Sequence, residues 1–275
     1  GGQPNQAEYL RLLNPLNPER TVLRRSLLAS ALEVLEKNAR LSDRLALFEI
    51  GPVFLPKTGQ TLPEEPGRLA IVMTGLRLPQ AWDRRETAMM DFYDLKGILE
   101  SMLANAHISP VVYRPCEHPA FHPGKCAEAL VDGQSLGIFG ELHPLVKQRY
   151  DFLATPVLAA EFQLSALLAQ FSRYYNVENV PIFPPVLEDL AVIVDESVPA
   201  SEVAAAIRQG GGKLLTGLRL FDIYHGEQIE AGKKSLAYNL TYQAVDHTLT
   251  AGEAAQIRGR IIRRLEQALG AKIRS

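Results

Sequence analysis

The first regular pattern along the chain is that of an amphipathic helix. From Val22 to Leu35, apolar residues recur at intervals of three and four, with charged residues such as Arg24 and Glu33 between them. Side chains at these intervals lie on one face of a helix, so the pattern predicts a helix over Thr21–Ala39. Apolar runs bounded by Gly and Pro follow it, which is typical of strands.

Strand patterns dominate the next part of the chain. One helix is predicted among them over Asp91–Asn105, with Asp91 as N-cap and Asp94 completing a capping box, and a short helix is predicted over His143–Tyr150. The strands do not alternate with helices as βαβ units would, so this half is predicted to be an antiparallel sheet with flanking helices. The strands are expected at Leu45–Leu55, Arg68–Gly75, Val111–Tyr113, Cys126–Val131, Leu136–Leu142 and Val157–Gln163.

The organisation changes after Tyr174. Residues 174–185 contain three prolines and little periodicity, which indicates a linker. Beyond it the patterns predict a β-α-β-β-α-β order, the split arrangement of ferredoxin-like domains. We therefore expect an α+β protein with two domains, residues 1–175 and residues 176–275. The elements of the second are expected at Asp189–Val194, Pro199–Gln209, Leu214–Tyr224, Ser235–Gln243, Thr250–Leu269 and Ala271–Arg274.

Composition narrows the class of protein. The 275 residues are 47% hydrophobic and 22% charged, as in folded globular chains, and the formal net charge is −2. Any nucleic-acid binding must therefore come from a local patch. The sequence has no apolar run long enough for a membrane span and only two cysteines, so we expect a cytoplasmic protein. The chain begins Gly1-Gly2-Gln3-Pro4 without Met, as expected for a piece of a longer protein or for the scar of a removed tag.

Two stretches carry candidate chemistry. Cys116, His118, His122 and Cys126 are zinc-type ligands within a short span, but intervening Pro and Gly residues favour a turn entering a strand over a metal site. Residues 226–235 have glycines and lysines but not the spacing of a phosphate-binding P-loop, and a hairpin turn is the simpler interpretation. No residues form a catalytic set on spacing, so we expect no catalytic residue, metal or cofactor in this chain.

The second domain offers a candidate RNA surface. Leu236, Tyr238, Leu240 and Tyr242 alternate with Ser235, Ala237, Asn239 and Thr241, so the first set should pack on the helices and the second should line an open sheet face. Such a face bordered by cations is a platform for single-stranded RNA. The predicted RNA-binding residues are Arg219, Lys233, Lys234, Ser235 and Asn239.

Cations also cluster near the end of the last predicted helix. They are Arg258, Arg260, Arg263, Arg264 and Lys272. Attraction to the negative end of the helix dipole is a sufficient structural explanation for them.

Several motifs of the second half resemble the ferredoxin-fold anticodon-binding domain that ends the β subunit of bacterial phenylalanyl-tRNA synthetases. They are Pro184-Pro185-Val186 with Asp189-Leu190-Ala191, Phe221-Asp222-Ile223-Tyr224 with Gly226, Gly232-Lys233-Lys234-Ser235-Leu236-Ala237, and Thr248-Leu249-Thr250.

Motifs of the first half resemble the catalytic-like module of the same subunit. They are Asn14-Pro15-Leu16, Leu23-Arg24 with Ser26-Leu27-Leu28, Leu47-Phe48-Glu49-Ile50-Gly51 with Val53-Phe54, Asp91-Phe92-Tyr93-Asp94-Leu95-Lys96-Gly97 and Phe121-His122-Pro123-Gly124. Their order and spacing match the family from about Asn14 to the end of the chain.

The resemblance implies a fold and a division of labour. It implies a class II synthetase-like antiparallel sheet that lacks the chemistry, docks the α subunit through the helix Thr21–Ala39, and is followed by a domain that binds the anticodon region of tRNA(Phe). Phenylalanine, ATP and Mg²⁺ then belong to the α-subunit site of an α2β2 enzyme. The first half agrees, because the arginine candidates for an ATP clamp, Arg84-Arg85 beside Glu86, lie in a predicted loop.

The sequence departs from the family at two positions of the second domain. Glu188 and His247 stand where the family usually has Arg, which reduces the positive charge available for phosphate contacts. Two other interpretations stay open: a module that binds an aminoacyl-adenylate itself, and a free-standing synthetase-like module that regulates or binds another protein without charging tRNA.

Overall fold

The computed structural model describes residues 9–59, 62–85, 87–152, 155–174, 180–226 and 228–274. The chain divides into two compact units, residues 1–176 (the large unit) and residues 177–275 (the small unit). The sequence-based boundary at residue 175, Glu86, and Glu227 of the predicted hairpin turn lie outside the described residues. None of the described helices is long and apolar enough to cross a membrane.

The large unit is built around one antiparallel sheet of six strands in the order β1-β2-β6-β5-β4-β3. Its elements are α1 (Leu28–Asn38), β1 (Arg44–Pro52), β2 (Gly67–Gly75), α2 (Phe92–Asn105), β3 (Val112–Pro115), β4 (Phe121–Val131), β5 (Gln134–Leu142), α3 (Pro144–Lys147), β6 (Val157–Gln163) and α4 (Leu164–Gln170). The predicted α+β architecture with an antiparallel sheet is confirmed. Helix α4 was not predicted, because its seven residues are too few to establish a period.

Both faces of this sheet are covered by helices. Strand β2 sends Leu69, Ile71 and Met73 into a core shared with α2 and α4. Its alternate residues Ala70 and Val72 enter a second core beneath α1. A strand that is apolar on both faces lies inside a three-layer arrangement, which explains why β2 has no polar alternation.

Helix α1 is shorter than the predicted helix over Thr21–Ala39. Leu27 is its N-cap residue, and Val22 instead forms an isolated bridge with Arg11. The carboxylate of Glu161 on β6 accepts hydrogen bonds from the Leu27 amide, at 2.7 Å, and the Ser26 hydroxyl, at 2.9 Å. This side chain from the central sheet fixes where the helix begins, and periodicity alone could not indicate it.

Helix α2 begins as predicted. Asp91 caps the helix, Asp94 accepts from the Asp91 amide, and the full capping box is present. Arg77, just beyond β2, donates to both carboxylates, with its Nη2 atom 2.7 Å from Asp91 and its Nε atom 3.0 Å from Asp94. These contacts raise the pKa of Arg77, chiefly through the hydrogen bond to Asp94. The start of α2 is thus tied to the end of β2.

The small unit has the predicted β-α-β-β-α-β order. Its elements are β7 (Val186–Asp195), α5 (Ala200–Gly211) with a short 3-10 turn at Gly212–Leu214, β8 (Leu215–Tyr224), β9 (Lys233–Tyr242), α6 (Ala251–Leu269) and β10 (Lys272–Arg274). The antiparallel sheet has the order β10-β7-β9-β8. Helices α5 and α6 share a single core with one face of the sheet, and Leu236, Tyr238, Leu240 and Tyr242 all enter it as predicted. The ferredoxin-like fold is confirmed.

Candidate nucleic-acid interface

The open face of the small sheet consists of residues that alternate with the core residues. Strand register places Arg219 of β8, Asn239 of β9 and Asp189 of β7 in one row across the sheet. The Asn239 amide donates to Asp189 at 2.9 Å, and the Arg219 side chain is exposed. Two of the predicted RNA-binding residues, Arg219 and Asn239, are therefore brought together on this face.

Two neighbouring rows contain residues that the sequence analysis did not select. Tyr224 lies opposite Ser235 in the sheet, and the Arg274 guanidinium carbon lies 5.2 Å from the centre of the Tyr224 ring. Tyr224 and Arg274 belong to the two outer strands, so their side chains meet across the open face. Tyr224 belongs to the motif Phe221–Tyr224, which the sequence analysis had noted. Its place on the open face follows only once the register shows that it lies opposite Ser235.

Ser235 does not have the exposure that the prediction required. Only 4% of it is accessible, although it points to the open face. The turn between β8 and β9 folds over this end of the sheet, where Gln228 accepts from Arg274 and Glu230 pairs with Lys272 at 3.3 Å. The prediction that Ser235 lines an accessible surface is wrong, because the residue is almost completely buried at this end of the sheet.

The two lysines after the turn also differ from the prediction that both border the open face. Lys233 pairs with Glu230 at 2.8 Å, and this hydrogen bond raises the Lys233 pKa and lowers that of Glu230. Lys234 lies opposite the buried Val194, on the helix side of the sheet, and its ammonium donates to the Glu196 carbonyl at 2.7 Å. Successive residues of a strand point to opposite faces, so two adjacent lysines cannot border the same face.

The two departures from the family pattern have structural partners. Glu188 lies 3.3 Å from Arg258 and accepts from the Tyr242 hydroxyl at 3.2 Å. Burial, reinforced by Glu188, raises the pKa of Tyr242. His247 contacts Asp246 at 2.8 Å and Glu253 at 3.1 Å, beside the N-terminus of α6. Neither side chain lies among the cations of the open face.

The cysteine and histidine stretch begins directly after β3, with Cys116 and His118, and continues into β4, which contains His122 and Cys126. The rings of His118 and His122 accept from the amides of Ala120 and Gly124 at 3.2 and 3.1 Å. The Cys116 and Cys126 sulfur atoms are 3.3 Å apart, and burial together with this contact raises the pKa of Cys126 to about 12. Across the described ranges, no three His, Cys, Asp or Glu side chains converge in a way that would hold a metal ion.

One cavity of the large unit does not fit a nucleotide. A cavity of about 170 Å³ lies where β1 begins and β2 ends, and its polar lining is Ser42, Asp43, Thr74 and Thr155. Small-molecule sites are typically about 300–1,000 Å³. This lining contains a carboxylate and no cation, so it does not fit the phosphates of ATP.

Comparison with known families gives a consistent result for both units. Residues 2–164 match the family model described as the phenylalanyl tRNA synthetase beta chain CLM domain. Residues 181–274 match the ferredoxin-fold anticodon binding domain.

Individual relatives extend over nearly the whole chain. It is 40% identical over 273 residues to the phenylalanine–tRNA ligase beta subunit of Symbiobacterium thermophilum. This alignment covers 99% of this chain and 30% of that protein. It is 39% identical over 270 residues to the corresponding subunit of Geobacillus kaustophilus. That alignment covers 98% of this chain and 33% of the relative. The chain thus spans about a third of the length of the curated relatives it matches. Because the first family model covers more than half of the residues, the chain belongs to the phenylalanyl-tRNA synthetase β-chain family.

Proposed function

We propose that this chain is the part of a phenylalanine–tRNA ligase β subunit that positions tRNA(Phe) and the α subunit without doing chemistry itself. The small unit binds the anticodon region, and the large unit docks the α subunit. Phenylalanine, ATP and Mg²⁺ bind in the α subunit of a cytoplasmic α2β2 enzyme. The relatives are ligase β subunits, which favours this proposal over a free-standing regulatory module.

The observation that carries the RNA half of the proposal is the Tyr224–Arg274 pair on the open sheet face. An aromatic ring beside a guanidinium is the combination on which unstacked bases of single-stranded RNA stack. Arg219 and Asn239 lie on the same face, and Asn239 is four residues from Ser235, the register partner of Tyr224, along β9.

A base of the anticodon loop stacks on the Tyr224 ring in this proposal. Arg274, which now lies over that ring, then turns to a phosphate or a base edge, and Arg219 supplies a second cation. Asn239 is held by Asp189 and offers its amide for base contacts. Ser235, Lys233 and Lys234 have supporting roles, because they are buried or have protein partners.

The test replaces the ring. Tyr224→Ala is expected to weaken binding of a tRNA(Phe) anticodon stem-loop by about 5- to 100-fold, because a base–aromatic stack contributes about 1–3 kcal/mol. Tyr224→Phe keeps the ring and should bind almost as the parent does. Fluorescence anisotropy with a labelled stem-loop measures both. Equal affinity of the parent chain and Tyr224→Ala would exclude this face as the binding site.

The docking half of the proposal rests on an uncovered part of the large sheet. Phe48 and Ile50 on the edge strand β1 are 73% and 56% exposed. They lie opposite Ile71 and Leu69, on the α2 side of the sheet. Exposed apolar groups on an edge strand are typical of protein interfaces.

This surface differs from the interface expected from the sequence. The apolar stripe of α1 packs on the sheet, with Leu28, Ala31, Leu32 and Leu35 buried, so that stripe is not available to a partner. Phe48→Glu is expected to abolish co-purification with the α subunit, whereas Val34→Glu on the outer side of α1 should retain it. The reverse result would indicate that the α subunit binds α1 and not the edge strand β1.

A further inference from the structure

The small unit carries a second cluster of cations, on the layer opposite its open sheet face. Its members lie on the C-terminal part of α5, in the turn after it, and on the part of α6 that packs against them. We call this cluster the basic ridge: Arg208, Lys213, Arg260, Arg263 and Arg264, all of which are exposed.

Close packing holds the two helices of the ridge together. A Cβ atom added at Gly210 would lie 2.6 Å from the Cα atom of Ile261, so the helix backbones are nearly in contact. Arg264 donates to the side-chain oxygen of Gln209 at 2.7 and 3.0 Å, and Arg260 lies 3.4 Å from the Gly210 carbonyl. These contacts place the guanidinium groups of Arg260 and Arg264 along the seam between α5 and α6.

The positive charge of the ridge is not neutralised within the small unit. Within residues 180–226 and 228–274, none of the five ridge cations forms an ion pair with a carboxylate. By contrast, Lys233, Lys272 and Arg258 each pair with a glutamate. Helix-dipole attraction explains one cation near a helix end, but not five unpaired cations drawn from two helices and a turn.

The surface of α6 beside the ridge is also recessed. Ala255 and Gly259 present almost no side chain, and a shallow depression of about 450 Å³ lies between them, Gln256, Arg260 and Arg263. A Cβ atom at Gly259 would have only the Arg263 side chain within 4 Å. A polymer backbone can therefore approach the helix closely while the arginines reach around it.

We propose that the basic ridge binds the phosphate backbone of a helical RNA stem. Helices α5 and α6 contain no aromatic residue, so the ridge lacks the aromatic stacking groups that hold single-stranded bases. Arginine and lysine without stacking groups are suited to phosphates of a duplex, which they contact without reading sequence. This proposal extends the proposed function, and it rests on that function for the identification of the RNA as tRNA. The sheet face would bind the anticodon loop, and the ridge would bind a stem.

The test uses the 275-residue chain with two labelled probes, a tRNA(Phe) transcript and an RNA hairpin whose duplex has an unrelated sequence. The variant Arg208→Gln/Lys213→Gln/Arg263→Gln removes the three ridge cations that make no hydrogen bond in the described structure. It is expected to bind both probes about 10- to 100-fold more weakly at 0.1 M salt. The slope of log affinity against log salt should become shallower by about 2–3, because each phosphate contact contributes about one counterion.

Two matched variants isolate the charge of the ridge. Lys37→Gln/Arg84→Gln/Arg85→Gln removes three exposed cations from the large unit and should leave affinity and slope unchanged. Arg208→Lys/Arg263→Lys keeps the positive charges and should retain the slope, because the salt dependence reflects how many phosphates are neutralised and not the geometry of each contact. Circular dichroism of each variant verifies folding.

The outcomes separate this proposal from the proposed function. If the ridge variant keeps the parent slope while Tyr224→Ala weakens binding of the tRNA, the ridge proposal is overturned and the sheet proposal stands. If the ridge variant loses both probes while Tyr224→Ala binds normally, the ridge stands and the sheet proposal fails. If the ridge variant binds RNA normally but no longer co-purifies with the α subunit, the ridge is a protein contact and the proposal is wrong.

Discussion

The two sheets of this chain differ in how many faces they bury. The six-stranded sheet lies between two separate cores, one shared with α2 and α4 and one beneath α1. The four-stranded sheet has one core, and its other face carries Arg219, Asn239 and the Tyr224–Arg274 pair. A sheet whose central strands are buried on both sides is suited to support, whereas a sheet open on one side can receive a ligand. The proposed division between docking and RNA binding follows from this difference.

The largest expected effects test whether the large sheet is sealed on both faces. Phe139 lies in the core beside α2 and Phe121 in the core beneath α1, and each is at most 1% exposed. Phe139→Ala and Phe121→Ala should each lower the free energy of unfolding by about 3–5 kcal/mol, because each leaves a cavity. Urea denaturation followed by circular dichroism measures both. A small loss at one position alone would mean that its face is not a true core.

Neighbouring residues of β9 provide the corresponding comparison in the small sheet. Leu240→Ala on the core face should lower the free energy of unfolding by about 2–5 kcal/mol. Asn239→Ala on the open face removes one exposed hydrogen bond and should lower it by no more than about 1 kcal/mol. Similar losses at the two positions would contradict the one-sided burial of this sheet.

Replacing one glycine in each unit by alanine should change the free energy of unfolding by an intermediate amount. The two changes should have opposite signs. Gly210→Ala should lower the free energy of unfolding by about 1–3 kcal/mol, because the new methyl group meets the backbone of α6. Gly97→Ala, on the exposed side of α2, has nothing within 4 Å and should raise it by about 0.5–1 kcal/mol. Thermal unfolding of the two variants measures both. A stabilised Gly210→Ala variant would contradict the close contact of α5 and α6.

The smallest effects concern the capping boxes that begin α2 and α6. In α6 the Thr250 hydroxyl accepts from the Glu253 amide, and Glu253 accepts from Thr250 in return. Thr250→Ala should lower the free energy of unfolding by about 1 kcal/mol, whereas Thr248→Ala, at an exposed site nearby, should not. Urea midpoints at pH 7 measure the difference.

The two caps should respond differently to pH. Hydrogen bonds from Thr250 lower the pKa of Glu253 to about 2, so the stability that this carboxylate provides is present above about pH 4.3 and is lost as the pH falls towards 2. Hydrogen bonds to Asp246 and Glu253 raise the pKa of His247, so its contribution is complete below about pH 6.5 and is lost as the pH rises through the higher value.

The cap of α2 has Arg77 where α6 has His247, and an arginine keeps its charge across this range. The cap of α6, unlike that of α2, should therefore lose stability slightly as the pH rises above about 6.5. His247→Gln should abolish that loss, as urea midpoints between pH 6 and pH 9 would reveal. An NMR titration that gave His247 the pKa of a free imidazole would contradict this account.

The predictable part of the fold was the part with a repeating local pattern. The alternation in β9 and the capping box of α2 were both visible in the sequence, because strand geometry and cap chemistry depend on neighbouring residues. The start of α1 was not predictable, because Glu161, more than 130 residues away, provides the hydrogen bonds that fix it. The short α4 lacked the length that a helical period requires.

The candidate site was predictable in its location and less so in its members. The open face and the place of Asn239 on it followed from alternation alone, whereas the row that joins Asn239 to Arg219 depends on strand register. Burial of Ser235 and the contact of Tyr224 with Arg274 depend on how the strands are arranged in the sheet, with β8 and β10 as its two outer strands. Those are tertiary relationships, and a single sequence without its register does not contain them.

The hydrogen bonds between Arg264 and Gln209 have a kinetic and entropic consequence. An amide oxygen orients the guanidinium without cancelling its charge, so the side chain has already given up rotational freedom before any anion arrives. A glutamate at position 209 would orient the arginine equally well but would have to be displaced by each incoming anion. The neutral tether keeps the full attraction available at long range, where it accelerates encounter, and leaves less disorder to be lost on contact.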